Sequence, residues 1–433
     1  MELMLPKGTR DFLPEEKILR DRIIEKLKGI FELYGFSPIE TPAIERFEVL
    51  ASKYAGGEEI LKETFKLKDQ GQRELGLKYD LTVPLARVIG MNPNLKMPFK
   101  RYQIEKVWRD GPITTSRYRE FYQCDADVVG SSSMMADAEI LKIVSVALEK
   151  LGLEYEIKVN NRKILDGLMQ DLGIREEYWN SILLSLDKIE KIERKEVERE
   201  LEEKGLEEKK IKALLEFCSI KGSNEEIIAR AKKTIKSKEG IEGIKELEEL
   251  LNYCKEFKVK NLYITYSLVR GLSYYTSTVF EAVLPKSKVK SSVAGGGRYD
   301  KMIGFFLGES KEFPAVGIAF GLDRIYDALM EKGFRAEKTN TKIYVIPIGA
   351  GAGKKAIELT ERIREIKINS DIDLMNRGIS KNLDYASKQG IPFVALLGED
   401  ELKEECFKLR DMKTGKEEKI KLGELEKLKK IIA

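Results

Sequence analysis

Four arginines, Arg109, Arg117, Arg270 and Arg324, are the residues most capable of chemistry in this chain. Each lies at the end of an extended stretch or just inside a helix-like one, as in LVRGLSYYT and GLDRIYD, and none belongs to an i to i+4 ladder. Guanidinium forks match phosphate and carboxylate oxygens bidentately, so several converging would hold a triphosphate; taken singly, each reads as an ordinary surface or ion-pair arginine. Two strand-like segments, 99 to 109 and 117 to 129, divide by parity. In the second, Arg117, Arg119, Gln123, Asp125 and Asp127 share a face with Phe121, and Tyr122, Cys124, Ala126 and Val128 share the other. In the first, Arg101, Gln103, Glu105 and Arg109 stand opposite Tyr102, Ile104 and Trp108. Two readings follow. One is an antiparallel sheet with one side in water. The other is a site for a zwitterionic or phosphorylated ligand, with arginines at one end and acceptors at the other.

Composition removes several alternatives. The chain has 433 residues and no histidine, which excludes a Ser-His-Asp triad, a Cys-His pair and any histidine-containing metal site. Cys124, Cys218, Cys254 and Cys406 are far apart and form no C-x-x-C pair, so they read as reduced core residues. With 77 basic and 73 acidic residues the bulk charge nearly cancels, and any binding to nucleic acid must come from local patches. Arg10 and Asp11 stand where a signal peptide needs an apolar core, and no apolar run suits a membrane span. The expectation is a soluble, cytoplasmic protein that does not enter a membrane.

The elements that must position these residues can be read from periodicity. Leu19, Ile23, Leu27, Ile30 and Tyr34 recur at helical spacing after Pro14 and stop at Gly35. SPIETPAIERFEVLA, with two prolines, predicts an extended edge strand that needs covering. Residues 136 to 151 predict a second amphipathic helix, and 161 to 258 a highly charged helical insertion. LYITYS and TSTVFEAVL return to strand, and PAVGIAFGLDRIYDALMEKG reads as a strand running into a helix. AGGGRYD predicts either close approach of a ligand to bare backbone or a bulge or tight turn. After a linker at 333 to 340, strands KIYVIPI, DIDLM and PFVALLG alternate with helices at 352 to 368 and 380 to 389, as in a compact α/β domain. IGAGAGKKA follows a strand, but its spacing fails the phosphate-loop pattern and it reads as a strand-to-helix turn.

The ordered set PKGTRDF, GFSPIETP, LKYDLTVPLAR, VWRDGPITTSRYREFYQCDADVV, LVRGLSYYTSTVFE, AGGGRYD and GIAFGLDRI spans nearly the whole chain and resembles the class II aminoacyl-tRNA synthetases, specifically the histidyl-tRNA synthetases. The resemblance implies an α+β catalytic domain on a mainly antiparallel sheet, in two parts at 1 to 160 and 259 to 333. It further implies a helical insertion at 161 to 258, an α/β anticodon-binding domain at 341 to 433, and a homodimer formed through the Pro42 segment. The implied activity is that of a histidine-tRNA ligase using ATP as substrate with Mg²⁺ on the leaving phosphates, L-histidine as amino acid, and the histidine tRNA as partner. No fixed metal site on the protein is implied.

The resemblance also assigns roles. Asp80, Leu81 and Thr82 correspond to the segment that holds the histidine α-amino group, and Gln123 and Asp127 to further substrate groups, with Asp127 accepting an imidazole N–H. Tyr274 and Tyr275 correspond to ring-recognising tyrosines. Arg109 corresponds to the arginine bridging α-phosphate and substrate carboxylate, Arg324 and Arg117 to arginines on ATP, and Arg270 to the family's distinctive arginine near the α-phosphate. Arg109 and Arg270 also belong to the histidine-binding set, and these two are the catalytic pair. Three positions depart from the family's pattern: the loop GPITTS, Ser273 and Ser277. Two other classes are weighed against the ligase. One is a non-catalytic regulatory subunit of ATP phosphoribosyltransferase, which generally lacks the anticodon domain and erodes the arginines; the other is an RNA-binding scaffold with a vestigial site.

Overall fold

The computed structural model describes residues 2–51, 61–113, 117–189, 192–270, 274–306, 312–349 and 351–432. The chain forms two compact units, Met1–Arg10 with Ile23–Phe334, and Asp11–Arg22 with Arg335–Ala433.

The first unit is built on an eight-stranded sheet. Its strands are β1 (Ser37–Pro38), β5 (Phe99–Trp108), β6 (Glu120–Val129), β7 (Glu156–Asn161), β8 (Leu262–Ile264), β9 (Thr278–Val283), β10 (Ala294–Arg298) and β11 (Ala315–Gly321). Their spatial order is β1-β5-β6-β11-β10-β9-β7-β8, antiparallel except for the β1–β5 and β7–β8 pairs. A small second sheet, β2 (Ile44–Arg46), β4 (Glu74–Leu77) and β3 (Lys66–Lys68), lies in the same unit. The proline-rich segment is extended only at β1 and β2; Phe47–Leu50, expected to continue the strand, turns helical. β1 does occupy the sheet edge, where a proline removes no needed ladder donor.

The helix Met134–Lys150 follows β6, its start capped by Ser133, whose side chain accepts from the Met135 backbone N–H. It buries Ile140, Ile143, Val144, Ala147 and Leu148. The charged stretch after β7 forms helices Arg162–Asp171, Trp179–Leu186, Arg194–Glu203, Glu208–Cys218, Asn224–Thr234 and Lys238–Glu256. The first and last pack closely, because Gly167 and Gly240 face each other where a Cβ would collide with backbone. Val197, Leu201, Ile211, Leu214 and Leu215 are buried behind the charged surface. Ser277, one of the departures from the family pattern, is also buried here, its hydroxyl donating to Glu246 at 2.6 Å and accepting from Asn161 at 3.0 Å.

The structure corrects two expectations about the sheet. AGGGR is not a bulge or tight turn: it is β10 itself, paired on both sides and buried throughout. The middle of the charged face of β5 and β6 does not meet water either: Arg101, Gln103, Asp125 and Asp127 are each 3% exposed or less, while Glu105, Arg109 and Gln123 nearer its end are half-buried.

The second unit has a five-stranded sheet ordered β13 (Ser370–Ile372), β12 (Ile343–Pro347), β14 (Phe393–Leu397), β15 (Cys406–Asp411), β16 (Glu417–Lys421). β12, β13 and β14 run parallel, joined by helices Gly353–Glu365 and Ile379–Gln389. β15 and β16 add an antiparallel hairpin beyond the expected alternation. Among the described residues, no helix is long and apolar enough to cross a membrane.

Candidate active site

The register of the large sheet creates a cavity by setting large polar residues beside residues with almost no side chain. Across the pleat, Arg101 pairs with Asp127, Asp127 with Gly317 and Gly317 with Gly297. One step along, Gln103, Asp125, Ala319 and Gly295 form the next row. Half the floor is therefore polar and half is nearly bare backbone. A Cβ on Gly317 would strike the Asp127 carboxylate, one on Gly295 the Arg270 guanidinium, and one on Gly297 the Tyr275 ring. The glycines thus leave room for side chains reaching in from elsewhere.

The space has two lobes. The inner one, about 210 Å³, is lined by Asp80, Thr82, Asp125, Asp127, Tyr274, Tyr275 and Tyr299, among others. The outer one, about 470 Å³, brings together all four arginines predicted from sequence, Arg109, Arg117, Arg270 and Arg324. Arg109, Gln123 and Arg270 line both lobes, so these side chains stand where the two meet.

Each group is held by identifiable contacts. Asp80 precedes the helix Thr82–Met91, and its Oδ1 accepts from the backbone N–H groups of Thr82 at 3.0 Å and Val83 at 2.9 Å. This caps a helix start that would otherwise leave donors unmet. Leu81 lines neither lobe: it is buried, and its carbonyl accepts from Arg101 Nη2 at 3.2 Å. Asp127 is ion-paired with Arg101 at 2.8 Å and accepts from the Tyr299 hydroxyl at 2.5 Å. Tyr274 and Tyr275 stack obliquely, ring centroids 4.6 Å apart.

Among the arginines, Arg109 lies over the Tyr79 ring at 4.2 Å and donates to the Tyr79 carbonyl at 3.2 Å. Arg270 pairs with Glu281 at 2.9 Å, and Arg324 donates to the Ser292 carbonyl at 2.6 Å. Arg117 pairs with both oxygens of Glu63, at 2.6 and 2.9 Å. The segment Thr114–Ser116 of the unusual GPITTS loop, and Ser273, lie outside the described residues.

Burial dominates the electrostatics of the inner lobe. It raises the carboxyls of Asp80, Asp125 and Asp127 above the usual carboxylate range. Arg101 opposes the rise at both Asp127 and Asp125, and Asp125 also feels the like charges of Asp127 and Asp80. Burial likewise lifts the hydroxyls of Tyr274 and Tyr299 well above that of free tyrosine, so both remain O–H donors at neutral pH. Arg324 is lowered by burial and then by the neighbouring charge of Arg109, which reflects how closely the cations of the outer lobe converge. No group of three Cys, Asp or Glu residues able to hold a metal ion is present among the described residues. A basic outer lobe joined to an acidic, tyrosine-lined inner lobe suits a nucleotide beside a small ligand bearing N–H groups.

Comparison with known proteins agrees with this chemistry. The family model described as histidyl-tRNA synthetase matches residues 8–325, and an anticodon binding domain model matches residues 342–430. A Bacillus cereus protein named Histidine--tRNA ligase 1 is 40% identical over 428 residues, spanning 98% of this chain and 97% of the relative. The chain belongs to the histidyl-tRNA synthetase family. A crystal structure of histidyl-tRNA synthetase from Nostoc sp. PCC 7120 superimposes with a TM-score of 0.88 at 31% identity, covering 100% of both chains. A structure from Bacillus halodurans, titled ATP phosphoribosyltransferase regulatory subunit/histidyl-tRNA synthetase, has a TM-score of 0.76 at 22% identity over 92% of this chain and 99% of its own. That likeness shows a shared fold alone.

Several site residues of this histidyl-tRNA synthetase family member were not assigned from sequence. Parity places Arg101 and Asp125 on the charged face but gives neither a role, and Tyr299 carries no signal of its own within AGGGRYD. Glu281 and Glu63 carry no local signal, because their importance lies in the arginines they meet across space.

Proposed function

We propose that this protein is a histidine-tRNA ligase that activates L-histidine with ATP to histidyl-adenylate and transfers it to the 3′ end of the histidine tRNA. The observation that carries the reading is the junction of an acidic, tyrosine-lined lobe with a four-arginine lobe through Arg109, Gln123 and Arg270. In this reading the histidine carboxylate lies at the junction and attacks the α-phosphorus of ATP, and pyrophosphate leaves into the outer lobe. Arg109 spans the carboxylate and the α-phosphate, Arg270 neutralises charge developing on the α-phosphate, and Arg117 and Arg324 hold the remaining phosphates and nucleotide. Positioning and charge stabilisation supply the catalysis. Asp80, Thr82 and Gln123 take the ammonium side of the substrate, and Asp127 accepts a ring N–H, helped by Tyr274 and Tyr275. A competitor lacking ring N–H groups would strand these buried acceptors, a penalty that can give about 10⁴-fold discrimination without editing.

The described residues do not fit a resident metal, so Mg²⁺ enters in this reading as the counter-ion of ATP, and no step is assigned to it. In the transfer step the terminal ribose hydroxyl of the tRNA attacks the carbonyl carbon of the adenylate, the bond from that carbon to the phosphate oxygen breaks, and AMP leaves. With no histidine in the chain, an adenylate phosphate oxygen takes the proton. Residues 341 to 433 read the anticodon, residues 161 to 258 form the insertion that meets the acceptor stem, and the β1 edge beside Pro42 forms the homodimer contact in the cytoplasm. The regulatory-subunit reading is favoured only by the shared fold of the Bacillus halodurans structure. Histidine-dependent exchange of pyrophosphate into ATP, run with all twenty amino acids, tests the proposal. Exchange with histidine alone supports it, and no exchange with any amino acid overturns it.

A further inference from the structure

The inner lobe holds three carboxylates, and the protein satisfies them unequally. Asp80 Oδ1 is met by two backbone N–H groups and Asp127 Oδ1 by the Tyr299 hydroxyl, while Asp127 Oδ2 is met, among the described residues, by the ion pair with Arg101 alone. Asp125 lies on the same face of β6, one pleat repeat from both Gln123 and Asp127, and is 3% exposed. Its Oδ1 is buried without a hydrogen-bond partner among the described residues, and it lines the lobe.

The neighbours across the sheet explain why. On one side Asp125 is in register with Gln103, whose amide N–H groups go to Thr41 and Glu105. On the other it faces Ala319, which has no donor to offer. Arg101, whose charge acts on Asp125, directs its two terminal nitrogens to Asp127, Leu81 and Gln103, and its Nε has no hydrogen-bond partner among the described residues. An ionised carboxylate is acceptor-only, and a buried oxygen that the protein leaves unmet is a place for a donor from outside.

We infer that Asp125 is a further substrate-binding and specificity-determining residue, whose free oxygen accepts an N–H of the amino-acid substrate between the groups held by Gln123 and Asp127. This rests on the proposed ligase reading. Histidine offers two sources for that N–H, its ammonium and its ring, both within reach of mid-lobe. Along β6, at about 3.4 Å per residue, Asp125 stands midway between Gln123 and Asp127, about 7 Å from each. Asp125 fills the interval. Burial and the neighbouring Asp127 and Asp80 disfavour the ionised form of Asp125, and a cationic ligand nitrogen beside its oxygen would favour it.

The test is pyrophosphate exchange with wild type, Asp125→Asn and Asp125→Ala, measuring KM for histidine and for ATP separately. Wild type must first show histidine-dependent exchange; its absence there overturns the ligase reading, not the role of Asp125. The expected result is a rise of about 10- to 100-fold in KM for histidine, the scale of one hydrogen bond to a charged group. KM for ATP should change less than about twofold. Competition by imidazolepropionate, which lacks the ammonium, separates the two sources. A penalty that vanishes with this compound assigns the ammonium to Asp125, and one that persists assigns the ring. An unchanged KM for histidine, or equal rises for histidine and ATP, overturns the inference. As a check independent of variant folding, wild-type crystals soaked with histidine should place a substrate nitrogen within about 3.2 Å of Asp125 Oδ1. A nearest nitrogen beyond hydrogen-bond reach overturns it as well.

Discussion

Replacing Asp127 by Asn tests the centre of the site, because one side chain there serves both the fold and the ligand. Arg101 is completely buried, and its only ion-pair partner among the described residues is Asp127, at 2.8 Å. The contacts that would remain, Leu81 O at 3.2 Å and Gln103 Oε1 at 3.3 Å, are long bonds to neutral acceptors. Removing one member of a buried ion pair costs about 3–5 kcal/mol. Asn retains one oxygen, so the lower end, about 3 kcal/mol, is expected. Domains typically have about 5–15 kcal/mol to lose, and the variant should therefore fold. Both tryptophans, Trp108 and Trp179, lie in the first unit, so denaturant unfolding followed by their fluorescence reports on that unit. On the ligand side, losing one charge-assisted acceptor should lower kcat/KM for histidine by about 10- to 100-fold. The double variant Arg101→Met with Asp127→Asn should recover most of the stability, since the stranded charge is gone, and none of the activity. A single variant as stable as wild type would refute the dependence of Arg101 on Asp127. Undiminished kcat/KM would remove Asp127 from the substrate's partners.

Four further perturbations separate catalysis, pH response, packing and the phosphate-loop reading. Arg270→Ala should lower histidine-dependent pyrophosphate exchange by about 10²- to 10³-fold while changing tRNA affinity in filter binding less than about threefold; wild-type-like exchange would contradict its role. Asp166, on the helix Arg162–Asp171, is pushed up to about 6 by burial, partly opposed by Arg162. An unfolded Asp titrates near about 3.9, so Asp166 contributes stability that is full below that value and lost as pH rises through about 6. Asp166→Asn should therefore raise stability above about pH 7 by on the order of 1–3 kcal/mol and flatten that part of the stability profile; an unchanged pH profile of denaturant midpoints would refute this. Gly296→Ala drives a Cβ into the Gly317 carbonyl of the neighbouring strand and should cost more than about 3 kcal/mol. Gly353→Ala meets open space and should change neither stability nor KM for ATP; a large rise in that KM would revive the phosphate-loop reading of IGAGAGKKA.

What could be read from sequence follows from what periodicity encodes. Parity put Arg101, Gln103, Asp125 and Asp127 on one face, and the register of β5 and β6 pairs them on that face. Parity cannot say what covers a face, and charge argued for water. The cover here comes from residues distant in sequence, Asp80, Tyr274, Tyr275 and Tyr299, which close the lobe above the sheet. β10 was illegible as a strand for the opposite reason, since AGGGR has almost no side chains with which to show a period. β15 does alternate, with Phe407 and Leu409 buried between Lys408 and Arg410, but it is short and lies in a strongly charged tail.

The same two misreadings account for the site. A strand of glycines in a sheet centre is poor in β propensity, and a face of Arg, Gln and Asp is costly to bury. Each would weaken the fold if it stood alone. Side by side they complement one another: the glycines leave the volume in which Arg270, Tyr275 and Asp127 can sit, and those side chains remove the empty space that bare backbone would leave. Local rules fail at both places together because the sheet is shaped there to receive something that is not part of the chain. Filling that volume with protein, as alanine at Gly295 or Gly317 would, removes the position of Arg270 or Asp127 before it touches any ligand. The glycines of β10 and β11 are therefore as necessary to the proposed chemistry as the charges they face.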